Sequence, residues 1–417
     1  MVAYITTHST LSPASNNNQR KIGIKIPRLV IAPSVPVWRK GNLIIFDQKF
    51  YEGVLLYTKM WPGDVVCIMN SAESGLPHFG LVHKRPDELP FKCSLLEENE
   101  KINIHHLDGA SVVMASGDLF NQFHLSRLCK KIGAKCIYVI EYIPETRYQI
   151  ASLSTQNPLI KFYRFLYVWR EERKRLSAFS LSDGLQANGA PAYYKYNKFR
   201  NVLLYFDTRV DKNLLIKDKD LELRLAYLSQ NQPLRLAFSG RLIPMKGVDH
   251  LLKLALCLKQ RNVNFHLTIY GTGKLENDMK NFIKKHQLEN SVLMAGAVDF
   301  SRELIPNLQQ KFDLFVMLHR QSDPSCTYLE TLACGLPIVS YDNRAFSGLV
   351  ELADIGWKVK QDDFNGVARV IENLNFNRKE ILEKSKNSIN FARHHDFEST
   401  FQNRIRHLYC SGLTQTC

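Results

Sequence analysis

From residue 234 onward, short apolar runs alternate with stretches whose apolar positions recur at helical spacing. LRLAFSG (234–240) precedes VDHLLKLALCLKQ (248–260), and NFHLTIYG (264–271) precedes KLENDMKNFIKKH (274–286). VLMAG (292–296) leads to a short helix near 301–311, and DLFVML (313–318) leads through a polar loop into TYLETLA (327–333). PIVSYD (337–342) leads into RAFSGLVELA (344–353), and GWKV (356–359) into a helix near 362–374. This alternation predicts an α/β fold with a parallel, doubly wound sheet, in which ligands sit at the carboxyl ends of the strands. The first half repeats the pattern less regularly. Strands are expected near 28–32, 42–46, 64–69, 111–115 and 136–140, with a helix over 119–132. The predicted organisation is a disordered leader over 1–27, a first domain over 28–205, a charged connection over 206–233 ending in Pro233, a second domain over 234–376 and polar-faced helices over 377–417.

The 417 residues are 45% apolar and 23% charged, which is ordinary globular composition and excludes a mainly disordered or fibrous chain. No apolar run approaches the roughly 18 residues that span a bilayer. The start lacks a basic head followed by an apolar core, so it does not read as a secretory signal, and Ser12 to Gln19 reads as part of the disordered leader. Nine cysteines, widely spaced and without a CxxC, favour reduced thiols and a cytoplasmic location. The net charge is +15 and uneven: residues 1–200 carry 26 basic and 16 acidic side chains, residues 201–417 carry 29 and 24. An anionic partner for the first half is therefore expected, whether a membrane surface, an acceptor molecule or a nucleic acid.

Three strand-to-helix junctions carry the candidate chemistry. In SGRLIPMKG (239–247), Arg241 and Lys246 follow a strand and precede a helix, where two cations can close on a diphosphate; the alternative is solvated surface charge. In YGTGKLE (270–276), Gly271 and Gly273 offer bare backbone to a ligand or simply make a tight turn. In HRQSDPSCTYLETLACGLPIV (319–339), Asp323 to Thr327 open a helix whose amides favour an anion, and Glu330 one turn later suits a pair of ribose hydroxyls; alternatively Asp323 or Ser325 merely caps the helix. Together the three describe a site for a nucleotide diphosphate bearing a hydroxyl-rich group.

The strings GRLIPMKG, IYGTGKLE, VLMAGAV and LETLACGLPIVS resemble the donor domain of retaining glycosyltransferases of the GT-B fold, the group 1 (family 4) type. The resemblance covers about a third of the chain strongly and the first half only in general architecture. It implies two Rossmann-like domains facing across a cleft, with a final helix crossing back to the first domain. It implies transfer of a hexosyl unit from a UDP- or GDP-hexose to a hydroxyl of a glycan or lipid-linked acceptor, with retention and without a cofactor or metal. Arg241 and Lys246 would then hold the diphosphate and Gly240, Gly271 and Gly273 line the nucleotide pocket. Ser325, Cys326 and Thr327 would meet phosphates or sugar, and Glu330 the ribose. The family's earlier Glu corresponds here to Ser322, so the sugar-gripping carboxylate is Asp323 or is missing. Glu141, in CIYVIEYIPETR with Tyr142, Glu145 and Arg147, is the candidate to face the acceptor, and His124 the alternative. No catalytic base is expected, because the leaving phosphate is thought to take the acceptor proton in this family.

Two further stretches are rich in charge. KDKD (217–220) contains an Asp-x-Asp but reads as a solvated charge cluster rather than a metal site. LIKFYRFLYVWREERKRLSAF (159–179) reads as a domain helix with its aromatics packed inward, against the alternative of a helix lying on an anionic bilayer, which would make the enzyme peripheral to the cytoplasmic membrane face. The competing functions are a related epimerase or phosphorylase and, from charge alone, a nucleic-acid-binding protein; neither clustered cations interleaved with aromatics nor a nucleic-acid motif is apparent outside 159–179.

Overall fold

The computed structural model describes residues 26–76, 80–97, 100–153, 155, 157–230, 232–322 and 324–413. The Ser12–Gln19 stretch lies outside them. The first domain runs β1 (Arg28–Ala32), β2 (Trp38–Lys40), β3 (Leu43–Asp47), α1 (Gln48–Met60), β4 (Val65–Asn70), β5 (Leu81–Lys84), β6 (Lys92–Leu96), β7 (Ala110–Ser116), α2 (Leu125–Ile132), β8 (Lys135–Ile140), α3 (Pro144–Leu153), α4 (Pro158–Leu181), β9 (Gly184–Asn188), α5 (Gly189–Tyr196) and β10 (Val202–Tyr205). After a connection containing α6 (Asp218–Leu228) come β11 (Leu234–Ser239), α7 (Val248–Gln260), β12 (Phe265–Tyr270), α8 (Glu276–Lys285), β13 (Val292–Gly296), α9 (Ile305–Lys311), β14 (Leu314–Met317), α10 (Thr327–Ala333), β15 (Ile338–Tyr341), α11 (Arg344–Leu352), β16 (Gly356–Val359) and α12 (Phe364–Phe376). The chain then forms α13 (Arg378–Arg393) and α14 (Phe397–Leu413).

Two parallel sheets result. The first has the order β10-β9-β8-β7-β1-β4-β6 and the second β13-β12-β11-β14-β15-β16. Strands covered on both faces must be apolar on both, which is why LVIA in β1 and VVMA in β7 read as continuous runs. In each sheet the strand order reverses once, between β1 and β7 and between β11 and β14. Such a reversal leaves a crevice at the carboxyl ends, because the loops on its two sides diverge.

Several expectations need correction. The strand expected at 42–46 is β3, and it pairs antiparallel with β2 and β5 in a separate small sheet. The expected helix at 119–132 is regular only from Leu125; a tighter turn over Phe120–Gln122 precedes it. The connection is not bare, since Lys217 stands before α6 and Asp218 and Asp220 fill its first turn, where the helix dipole favours carboxylates. α14 packs Phe401, Ile405 and Leu408 into the first domain's core with Val112 and Ile137. The aromatics of the first half of α4 do not pack inward: Phe162, Phe165 and Trp169 are exposed, as is Leu166, whereas Val168 and, at the far end, Phe179 are buried. Cys67, Cys93, Cys129, Cys136, Cys257, Cys326 and Cys334 are free, whereas Cys410 is disulfide-bonded. Among the described residues no helix is long and apolar enough to cross a membrane.

Candidate active site

The loop after β11 stands beside the reversal of the second sheet. Arg241 is exposed there, and Lys246 is buried despite its charge. The Lys246 ammonium lies 3.5 Å from Nδ1 of His319, the polar residue that follows β14 and Leu318. Burial first, and then Lys246, holds the His319 imidazole well below its usual pKa, so the ring is neutral at neutral pH. An ammonium only donates, so we assign Nδ1 as acceptor and place the ring proton on Nε2, which is buried with no partner among the described residues. Gly247 makes this approach possible: its φ is +68°, and a Cβ would lie 2.0 Å from the Leu318 carbonyl. Arg320 then pins the loop, with both terminal nitrogens 2.8 Å from Asp249 and Nε 2.8 Å from Asp362.

The glycines of the first two motifs meet each other in the structure. A Cβ on Gly271 would lie 2.0 Å from the Gly240 carbonyl, and one on Gly273 would lie 2.6 Å from the Leu242 carbonyl. The Leu242 amide donates to Thr272 at 2.9 Å. Their small size lets the loop after β12 lie flat on the loop after β11.

The loop after β14 brings the third motif toward the first domain. Ser325 Oγ accepts from the Thr327 amide at 3.4 Å, but Cys326 is the N-cap residue of α10 and, among the described residues, no side chain caps that helix. The Cys326 thiol lies 3.1 Å from Lys49 Nζ at the start of α1, and burial, followed by Asp207, pushes it up to about 12. Glu330 is buried; its Oε1 accepts a hydrogen bond from Arg209 Nε at 3.0 Å and is ion-paired with Nη2 at 2.9 Å. The Arg209 guanidinium in turn covers the Phe300 ring at 4.3 Å. Asp323 lies outside the described residues.

Opposite this loop the first sheet has an open, partly apolar cavity. Its floor is the reversal itself, with Ala32 ending β1, Pro33 after it and Ser116 ending β7. Asp47, Lys49, Glu141, Asp207 and Arg404 supply its charges. Lys49 and Asp207 form an ion pair. Burial first, then the Asp207 and Asp118 carboxylates, raise Glu141 to about 7 against the pull of Lys49 and Arg404. His124 does not join this cavity; its Nε2 meets the Ile102 carbonyl at 2.7 Å. Glu145 instead bridges the domains to Arg344 at 3.0 Å, and Arg147 pairs with Glu172 at 3.6 Å. The sequence reading missed Lys49, Asp207, Arg209, His319 and Arg404. Four of them sit in no motif, and His319 was passed over although a polar residue directly after a buried strand marks it.

Residues 221–395 match the model described as glycosyl transferases group 1. The second domain belongs to that family. Relatives include the amylovoran biosynthesis glycosyltransferase AmsK of Erwinia amylovora, 27% identical over 164 residues, covering 36% of this chain and 38% of that protein. The alpha-D-kanosaminyltransferase of Streptomyces kanamyceticus is 27% identical over 163 residues, covering 38% and 42%. The chain thus spans about two fifths of the length of these curated relatives. The group 1 domain and the first domain together resemble a solved structure of Anabaena HepE in complex with UDP, with TM-score 0.62 and 14% identity over 92% of this chain and all of that one. The apo lipopolysaccharide outer core galactosyltransferase WaaB gives 0.60 and 11% identity over 92% and 99%. These likenesses establish the fold, two Rossmann-like α/β domains in the GT-B arrangement.

Proposed function

We propose that this protein transfers a hexosyl unit from a nucleotide-diphosphate hexose to a hydroxyl of a glycan or lipid-linked acceptor, with retention of configuration. The observation that carries the reading is the buried Lys246–His319 pair at the reversal of the second sheet, in a chain whose first sheet has a charged cavity at its own reversal. Arg241 and Lys246 neutralise the diphosphate as its bond to the sugar breaks, and that differential stabilisation lowers the barrier. With two cations there, the reading requires no metal. Glu330 takes the ribose hydroxyls on the carboxylate that Arg209 now orients. Asp323 or the loop backbone grips the sugar, and the leaving phosphate accepts the acceptor proton. The acceptor occupies the cavity of Glu141, Lys49, Asp207 and Arg404. The UDP complex of HepE and the biosynthetic glycosyltransferase role named for AmsK support a UDP-hexose donor and a glycan acceptor. Seven of the eight described cysteines are free, which supports a cytoplasmic location, although Cys410 is disulfide-bonded.

The test is a thermal-shift screen of the full chain against UDP- and GDP-hexoses, followed by turnover with the stabilising donor. A ligand at a hundred times its Kd stabilises by about 2.7 kcal/mol, so the donor stands out. Arg241→Ala and Lys246→Ala are expected to lower turnover by about 10²–10³-fold, the usual loss for one such charge contact. Glu330→Ala is expected to weaken free-nucleotide binding by about tenfold, the equivalent of roughly one lost hydrogen bond. Stabilisation by no nucleotide sugar, or full turnover in the exposed Arg241 variant and the Lys246 variant alike, rejects the reading.

A further inference from the structure

The longest helix, α4, outruns the sheet it packs on. Its 24 residues span roughly 36 Å at 1.5 Å per residue. The flanking strands β8 and β9, of six and five residues, span about 16–20 Å. The chain passes from the carboxyl end of β8 through α3 into α4 and leaves α4 for the amino end of β9. The first turns of α4 therefore lie toward the carboxyl edge of the sheet, the edge at which the cavity opens. The later turns are anchored, with Val168, Glu171, Arg175, Ala178 and Phe179 buried.

The first turns are exposed to solvent. Every residue from Pro158 to Tyr167 is exposed except the half-buried Lys161. Leu159, Phe162 and Tyr163 are 70%, 63% and 68% exposed, and Trp169 is 50% exposed. Neighbouring elements extend the patch: Phe120 meets the Tyr167 ring edge-on at 6.4 Å, and Ile150 of α3 is exposed as well. Residues 157–170 include Lys161, Arg164 and Arg170 and no acidic side chain.

We propose that this half of α4 docks on an anionic lipid bilayer, its aromatic rings at headgroup depth and its cations on the phosphates. Tyr and Trp suit that depth because one end of each is apolar and the other polar. Long Lys and Arg side chains reach the headgroups while their stems cover apolar surface. Charge decides against a second copy of this chain as the occupant. A two-fold interface sets the same patch against itself, and here that would press three cations on three with no carboxylate between. The cations also keep the helix on the surface rather than across the bilayer. The face lies toward the edge of the sheet at which the cavity opens, so a lipid-anchored acceptor can enter from the membrane. That last step rests on the glycosyl-transfer reading, whereas the docking does not.

The full chain is floated with vesicles of phosphatidylcholine alone and of phosphatidylcholine mixed with phosphatidylglycerol. Flotation with the mixed vesicles only, reversed by high salt, is expected. Trp169 is the most exposed of the described tryptophans, so its emission is expected to shift to the blue on binding. The Phe162→Ser/Tyr163→Ser double variant, altered only at exposed positions, is expected to bind the vesicles at least about tenfold more weakly, in keeping with the apolar area removed. Its response to nucleotide sugars in solution is expected to stay unchanged, which separates this proposal from the reading of the active site. The proposal is overturned if the full chain does not float with anionic vesicles at low salt. It is equally overturned if the double variant floats as well as the parent, or if the parent is a dimer that the double variant dissolves.

Discussion

Glu141 sits where burial and charge oppose each other. Surrounding protein and the carboxylates of Asp207 and Asp118 favour its neutral form, and Lys49 and Arg404 only partly offset them, so its pKa stands near 7 against an ordinary 4.5. The folded state therefore keeps a proton that the unfolded chain has released between those two values. Stability from this group is fully present below about pH 4.5, falls as pH rises toward 7, and stays reduced above it. Glu141→Gln keeps the shape and removes the ionisation. It is expected to match the parent near pH 4.5 and to exceed it by on the order of 2 kcal/mol at pH 8, because the cavity rim admits some water. Urea unfolding at both values checks this, and equal stability at pH 8 contradicts it. Side chains such as Arg241, Lys246 and Glu330 were legible in the sequence because each lies in one short string at a strand-to-helix junction. Lys49, Asp207 and Arg404 were not, because the cavity gathers them from α1, the segment after β10 and α14, and only the folded chain makes them neighbours.

Loops at the carboxyl edge of the second sheet pack on one another as tightly as core elements do. Gly271→Ala would place a methyl 2.0 Å from the Gly240 carbonyl at a φ of +122°. Backbone must move to relieve it, so a loss of about 2–4 kcal/mol is expected from overpacking and strain together. Gly41, with φ +59° and open space around it, is the control; Gly41→Ala is expected to cost about 1 kcal/mol from backbone conformation alone. Thermal unfolding of the two variants separates the terms, and equal losses would show that the loop contact yields freely. The same distinction explains which elements could be read. β11, with LRLAFS, announces itself because both of its faces are covered by apolar side chains. β9, with GLQAN, does not, although all five residues are buried; Gln186 is satisfied by Arg404, whose Nε donates to its Oε1 at 2.9 Å, a partner from the far end of the chain. The aromatics of α4 misled for the opposite reason. Their apolar content is that of a core helix, but the helix is longer than the sheet available to cover it.

Across the whole molecule the domains meet through small residues. Gly189 leaves room for Pro324, to which a Cβ would come within 2.7 Å, and Gly348 of α11 lies against Ala190 of α5. The Glu145–Arg344 pair and the Lys49–Cys326 contact close the same seam, and α14 returns the chain to the first domain. This closeness sets how far the cavity of the first domain stands from the loops of the second. Gly348→Ala tests it with little disturbance elsewhere. Within α11 alanine is the better helix former by about 1 kcal/mol. Across the seam, however, the new methyl would lie 2.1 Å from the Ala190 Cβ, so the domains must part. The expected result is unchanged far-UV circular dichroism, a larger radius of gyration in solution scattering, and a net loss of about 1–2 kcal/mol, since overpacking costs up to about 3. Adding Ala190→Gly to the same chain removes the facing methyl and is expected to restore the parent radius. If Gly348→Ala alone raises the melting temperature and leaves the radius untouched, the helix term has won. The seam is then soft, and the spacing between the two sites is not set by these small residues.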